Sequence, residues 1–137
     1  MKLTTTPTID NITEILTRII EFTDRRREVL TRNLFDYSHE GFRPQDMPVT
    51  EFAGCMTQAV AEHVSSQRLL LCDREHVRFG QEGCFDALPV VDSNAEKLLT
   101  TDLKQYLQLQ IHKLSENLMN NRIAVELLKH KQQHNTR

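Results

Sequence analysis

Tryptophan is absent from this chain of 137 residues, and Phe, Trp and Tyr together make up 6% of it. Such a chain is expected to build its core mostly from aliphatic side chains. No run of eighteen or more apolar residues occurs, so no segment reads as a membrane-spanning helix. Basic surplus is missing too: 17 Lys and Arg stand against 19 Asp and Glu, a formal net charge of −2. That balance removes the electrostatic reason to expect nucleic acid, which is held by concentrated Lys and Arg. The three cysteines, Cys55, Cys72 and Cys84, cannot all pair within one chain, which argues against a disulfide scaffold. The start, Met1-Lys2-Leu3-Thr4-Thr5-Thr6-Pro7, lacks the apolar run of a cleaved secretory signal. Residence in the cytosol, or exit by a route that cleaves no signal, is the expectation.

Glycine and proline are scarce and unevenly placed. All four glycines and three of the four prolines fall between Gly41 and Pro89. Outside that stretch the chain reads as helix. From about Thr8, Ile9, Ile12, Leu16 and Ile19, then Leu30 and Leu34, keep 3–4 spacing, with Ile15, Phe22 and Val29 in step; this is an apolar stripe of near-heptad period. Asp10 or Thr8 is placed to cap it, and Glu21 with Arg25 makes an i,i+4 pair. In the Arg25-Arg26-Arg27 run a solvated face is the default reading. Arg26, however, falls where the apolar stripe would continue, where a charge can fix register between packed helices.

Residues 38–48 read as a turn or extended loop. Residues 50–71 have room for a short helix through Phe52, Met56, Val60 and Val64, and a hairpin around Gly80–Gly83 is open. Ser93-Asn94-Ala95-Glu96 then reads as a capping box, Ser93 and Glu96 satisfying opposite backbone donors. Behind it Leu99, Leu103, Leu107, Ile111, Leu114, Leu118, Val125 and Leu128 follow with no Gly or Pro. A continuous helix there of about 38 residues spans roughly 57 Å. A compact globule of this length is only about 35–40 Å across, so the pattern predicts an elongated molecule. The stripes either close on each other in a bundle or await other chains.

Chemistry-bearing motifs are weak. Cys72, His76, His63 and Cys84 offer soft ligands, yet they contain no paired knuckle of the kind that preforms a zinc site; ordinary cysteines and histidines are the simpler reading. His39-Glu40 lacks the second His of a zinc-protease helix, and no phosphate-binding glycine loop or nucleophile elbow is present. A lone helical histidine, His63 or His112, is formally able to accept a phosphoryl group, but a surface histidine is the plainer account. No cofactor, metal or catalytic residue is therefore expected, and no enzyme.

One junction carries more information. Arg27-Glu28-Val29-Leu30-Thr31-Arg32-Asn33-Leu34, followed by Gly41-Phe42-Arg43-Pro44-Gln45-Asp46-Met47, resembles the N-terminal signature of bacterial flagellar basal-body rod proteins. Among the rod and hook axial proteins it is most similar to the small proximal-rod subunit. That family ends its first helix in an N-I-A-N-A-x-T-P-G-Y segment with an Asp beyond. Asn33 falls on the first Asn, Leu34 on the Ile, Gly41 on the Gly, Phe42 on the Tyr and Asp46 on the Asp. Phe35, Tyr37, His39 and Glu40 depart from it. Asp92-Ser93-Asn94 is similar to the family's D-G-N before its long last helix, with Ser93 in place of Gly.

The resemblance implies a mainly α, elongated fold, in which two long terminal helices pair as a coiled-coil-like hairpin around an irregular middle. The regions expected are 1–37, 38–92 and 93–137, forming one structural unit. It also implies a non-enzymatic rod subunit, exported through the flagellar type III apparatus without a cleaved signal. Such a subunit stacks against copies of itself, other rod proteins and the membrane-ring base, and takes no nucleic acid or small-molecule substrate. The stripes would supply the helix-packing interface: Ile12, Leu16, Ile19, Leu30, Leu103, Leu107, Ile111, Leu114 and Leu118. A cytosolic helical-bundle adaptor or chaperone, dimerising through the long helices, is the alternative.

Overall fold

The computed structural model describes residues 10–80 and 85–135. The chain is mainly helical, with four helices among those residues. Helix α1 spans Asn11–Phe35, and Asp10 caps it by accepting from the Thr13 amide at 2.8 Å. Strand β1 is Gln45–Asp46 and helix α2 is Val49–Ser66; β2 (Val77–Phe79), β3 (Phe85–Ala87) and β4 (Val90–Val91) follow. Helices α3 (Ser93–Thr101) and α4 (Leu103–Asn135) complete the order. β1 pairs antiparallel with β4, Gln45 opposite Val91. β2 pairs antiparallel with β3, Val77 opposite Ala87 and Phe79 opposite Phe85. Thr8, Ile9, Gly83 and Cys84 lie outside the described residues.

The core sits where glycine and proline are concentrated. Ile15, Phe22 and Val29 of α1 pack with Phe52, Cys55, Met56 and Ala59 of α2 and with Val77, Phe85 and Ala87 of the hairpin. The core is largely non-aromatic, as expected, but its few aromatics are gathered together. Phe22 and Phe52 stack with centroids 4.0 Å apart, and Phe85 lies 5.8 Å from Phe52 and 5.3 Å from Phe79. Few aromatics suffice when four of them converge, because each buries a large area. Helix α2 ends at Gln67, whose φ of 62° is left-handed; the Asn11 amide holds that turn through the Gln67 carbonyl at 3.0 Å.

Three expectations are corrected. The C-terminal helix is not continuous, because Asp102 leaves the helical region (φ −157°, ψ 86°) and separates α3 from α4. Its carboxylate accepts from the Gln105 amide at 3.1 Å, capping α4. The cap of α3 is Asp92, which accepts from the Ala95 amide at 3.1 Å. Ser93 is then the first helical residue, and Glu96 turns away to Arg43. Asp92 displaces Ser93 as the cap because its carboxylate is the stronger acceptor and lies one residue earlier. Lastly, Arg25 pairs not with Glu21 but with Asp86 and the Phe85 carbonyl, while Glu21 takes Arg18.

Candidate assembly face and the junction behind it

Helices α1 and α4 run antiparallel: Asp10 meets Lys131, Thr23 meets Asn117, and Asn33 meets Gln110 and Tyr106. At 33 residues, α4 is about 50 Å long. The line it buries is Tyr106, Gln110, Asn117 and Ala124, at helical spacing but polar. Burying such a line costs little only where its polar groups find partners; among the described residues the Gln110 Nε2 is buried without one. The Asn117 amide donates to the Thr23 carbonyl at 2.8 Å, Asn121 donates to Thr23 Oγ1 at 2.8 Å, and the Tyr106 hydroxyl donates to the Asn33 carbonyl at 2.8 Å. Burial pushes the Tyr106 phenol up to about 12, with the Asp92 carboxylate adding to it.

The apolar row therefore lies off this contact. Leu103 is 42% exposed, Ile111 58% and Leu118 48%, while Leu107 and Leu114 are half-buried. On α1 the reverse holds. Leu16 and Leu30 are buried, Ile12 is half-buried and Ile19 packs on the core. Thus the nine stripe residues do not form one surface. Leu16 and Ile19 line a groove of about 310 Å³ between α1, α2 and α4, with Phe22, Phe52, Ile123 and Leu127; Leu103, Ile111 and Leu118 face outward from α4.

The junction is built from buried polar residues. Asn33 is only 2% exposed. Its Nδ2 donates to the Gln45 carbonyl at 2.7 Å and to Gln110 Oε1 at 2.9 Å, while its Oδ1 accepts from the Gln45 amide at 3.2 Å. One amide side chain so serves as a strand partner for the start of β1. Between them the chain turns through hydrogen bonds from His39 to the Asp36 carbonyl and from Phe42 to the His39 carbonyl. Gly41 has φ +79°, a backbone region that glycine enters without steric cost; Phe42 is half-buried.

Asp46 receives Arg26 through Nε at 2.8 Å and a second nitrogen at 3.0 Å, and Lys113 Nζ at 3.0 Å. The same Lys113 reaches Asp92 at 2.7 Å. Burial would raise the Asp46 carboxyl, but the Arg26 guanidinium and the Lys113 ammonium more than offset it and hold it below the usual carboxylate range. Burial alone would lower Lys113; its two carboxylate partners raise it instead. Arg26 thus joins α1 to β1 rather than one helix to another. Lys113, which the sequence pattern did not single out, gathers α4, β1 and the cap of α3. Its only signal is its place three residues after Gln110 and seven after Tyr106, on the line that α4 buries.

At the rim, Arg43 makes two contacts to Glu96 at 2.6 and 3.0 Å, and His76 meets Glu51 at 2.7 Å. Among the described residues no three His, Cys, Asp or Glu side chains are grouped to hold a metal ion. Among the described residues, no helix is long and apolar enough to cross a membrane. Comparison with family models, curated proteins and solved structures finds no match.

Proposed function

We propose that this chain is a structural, non-enzymatic subunit of the bacterial flagellar basal-body rod, polymerising through its terminal helices as part of the drive shaft. The observation that carries the proposal is the convergence of the two signature anchors. Asp46 follows the Asn33–Phe42 segment, Asp92 opens the Asp92-Ser93-Asn94 segment, and both carboxylates meet Lys113 of α4. Residues matched by pattern alone so become one buried polar knot that sets the terminal helices together. The antiparallel α1 and α4 form the coiled-coil-like hairpin of an elongated subunit. The exposed row of Leu103, Ile111 and Leu118 supplies apolar surface for copies of the chain, other rod proteins and the membrane-ring base. Export proceeds through the flagellar type III apparatus without a cleaved signal, and the subunit resides in the periplasm-spanning rod.

Cysteines introduced at Ile111 and Leu118 test the proposal in intact bacterial cells. Ladders of cross-linked oligomers that co-purify with basal bodies are the expected result. A single cross-linked dimer confined to the cytosol would overturn the rod and favour the dimeric adaptor.

A further inference from the structure

Two thiols that play no part in the assembly face lie between α2 and the segment leading to β2. Cys55 is fully buried on α2, and its thiol donates to the Cys72 carbonyl oxygen at 3.2 Å. Both cysteines are free, and Cys72 is half-buried. That hydrogen bond puts the Cys55 sulfur within about 6 Å of the Cys72 Cα, from standard backbone bond lengths. The two Cα atoms are then at most about 8.5 Å apart, and a disulfide asks for about 4.4–6.8 Å, so closure needs at most a shift of about 2 Å. Residues 67–76 form neither helix nor strand, so the adjustment that closure needs disrupts no regular element.

A cation stands beside the buried sulfur. Arg74 interacts with the Cys55 thiol and donates to Gln58 at 2.8 Å. Its Nε is buried without a hydrogen-bond partner among the described residues. Burial pushes the Cys55 thiol up, and Arg74 offsets only part of that rise, so the buried thiol is the less ready nucleophile of the two.

We propose that Cys55 and Cys72 are a reversible disulfide site that staples residues 67–76 to α2, formed by exchange with a small-molecule disulfide such as oxidised glutathione. The more accessible Cys72, as thiolate, attacks one glutathione sulfur. A Cys72–glutathione bond forms and one glutathione thiolate leaves. As residues 67–76 shift to bring the two sulfurs together, Cys55 becomes reachable by solvent, loses its proton to it and attacks the Cys72 sulfur, expelling the second glutathione thiolate. Two protein thiols are oxidised and one glutathione disulfide is reduced to two thiols. The staple is independent of the rod reading, since it uses none of the exposed face of α4.

The test treats the full chain with oxidised glutathione, alkylates the remaining thiols and maps peptides by mass spectrometry. The expected product joins the Cys55 and Cys72 peptides, lighter by two hydrogens than the two thiols. It forms both in the unsubstituted chain and in Cys84→Ser. Cys55→Ala should stop at a stable glutathione adduct on Cys72. Three results in the unsubstituted chain would each overturn the proposal: an adduct on Cys72 that persists, Cys72 joined to Cys84 or to a second chain, or both thiols still open to alkylation.

Discussion

Asp46 accepts two guanidinium nitrogens and one ammonium in a site where the Arg26 side chain is 7% exposed and that of Asp46 13%. Asp46→Asn keeps the shape but leaves Arg26 as a charge without a counter-charge. The expected loss is about 3 kcal/mol, read as a lower urea midpoint at unchanged slope. The sign of the pH effect follows from the same contacts. The native carboxyl is held below its ordinary value, so the unfolded chain takes up the proton more readily. The contribution is fully present above about pH 4 and is lost as pH falls through the lower native value. The gap in stability between the native chain and Asp46→Asn should therefore close on acidification. A gap that stays constant through the acid range would show that the charge of Asp46 is not what holds Arg26 and Lys113. At this scale much was legible: Asn33 and Asp46 stood out by pattern, and Arg26 by interrupting a stripe. Lys113 did not, because a lysine in a leucine-rich helix reads as solvated until its two carboxylates are placed beside it.

Helix α4 shows where pattern and packing part. Its leucines invite the reading that they mark the buried face, yet the contact with α1 runs through Tyr106, Gln110, Asn117 and Ala124. Each amide or hydroxyl there reaches a group on α1, and no periodicity reports that a partner carbonyl will be available. The break before α4 has a similar origin. No Gly or Pro marks it, but Thr100, Thr101 and Asp102 each carry a short side chain that competes for backbone groups. Thr101 Oγ1 donates to the Lys97 carbonyl at 2.8 Å, and the Asp102 carboxylate takes the Gln105 amide. Asp102→Ala should lower stability by about 1 kcal/mol, the usual worth of a helix cap, with no gain of helicity in the far-ultraviolet. A rise in both would mean that the break is not held by Asp102. The middle of the chain was legible in part. Its glycines and prolines marked loops, and the helix expected within residues 50–71 and the hairpin expected around Gly80–Gly83 both form, but no pattern reported that these two elements carry most of the core.

For the whole molecule, the question is whether the exposed row on α4 serves folding or assembly, and two substitutions separate them. Leu30 is fully buried on α1 and Leu118 is 48% exposed on α4, though both belong to the stripes of the sequence. Leu30→Ala removes packed methyl groups and should cost about 2–4 kcal/mol. Leu118→Asp places a carboxylate where solvent already reaches, so it should change the stability of the isolated chain by no more than about 0.5 kcal/mol. Under the proposed rod assembly the same carboxylate would be buried against a neighbouring chain without a partner, at a cost that opposes association. Leu118→Asp should therefore fold normally by thermal melt yet be absent from purified basal bodies, with loss of motility. Incorporation at the native level would remove this face from the assembly interface. A collapse of the isolated chain would show instead that the row belongs to the fold itself.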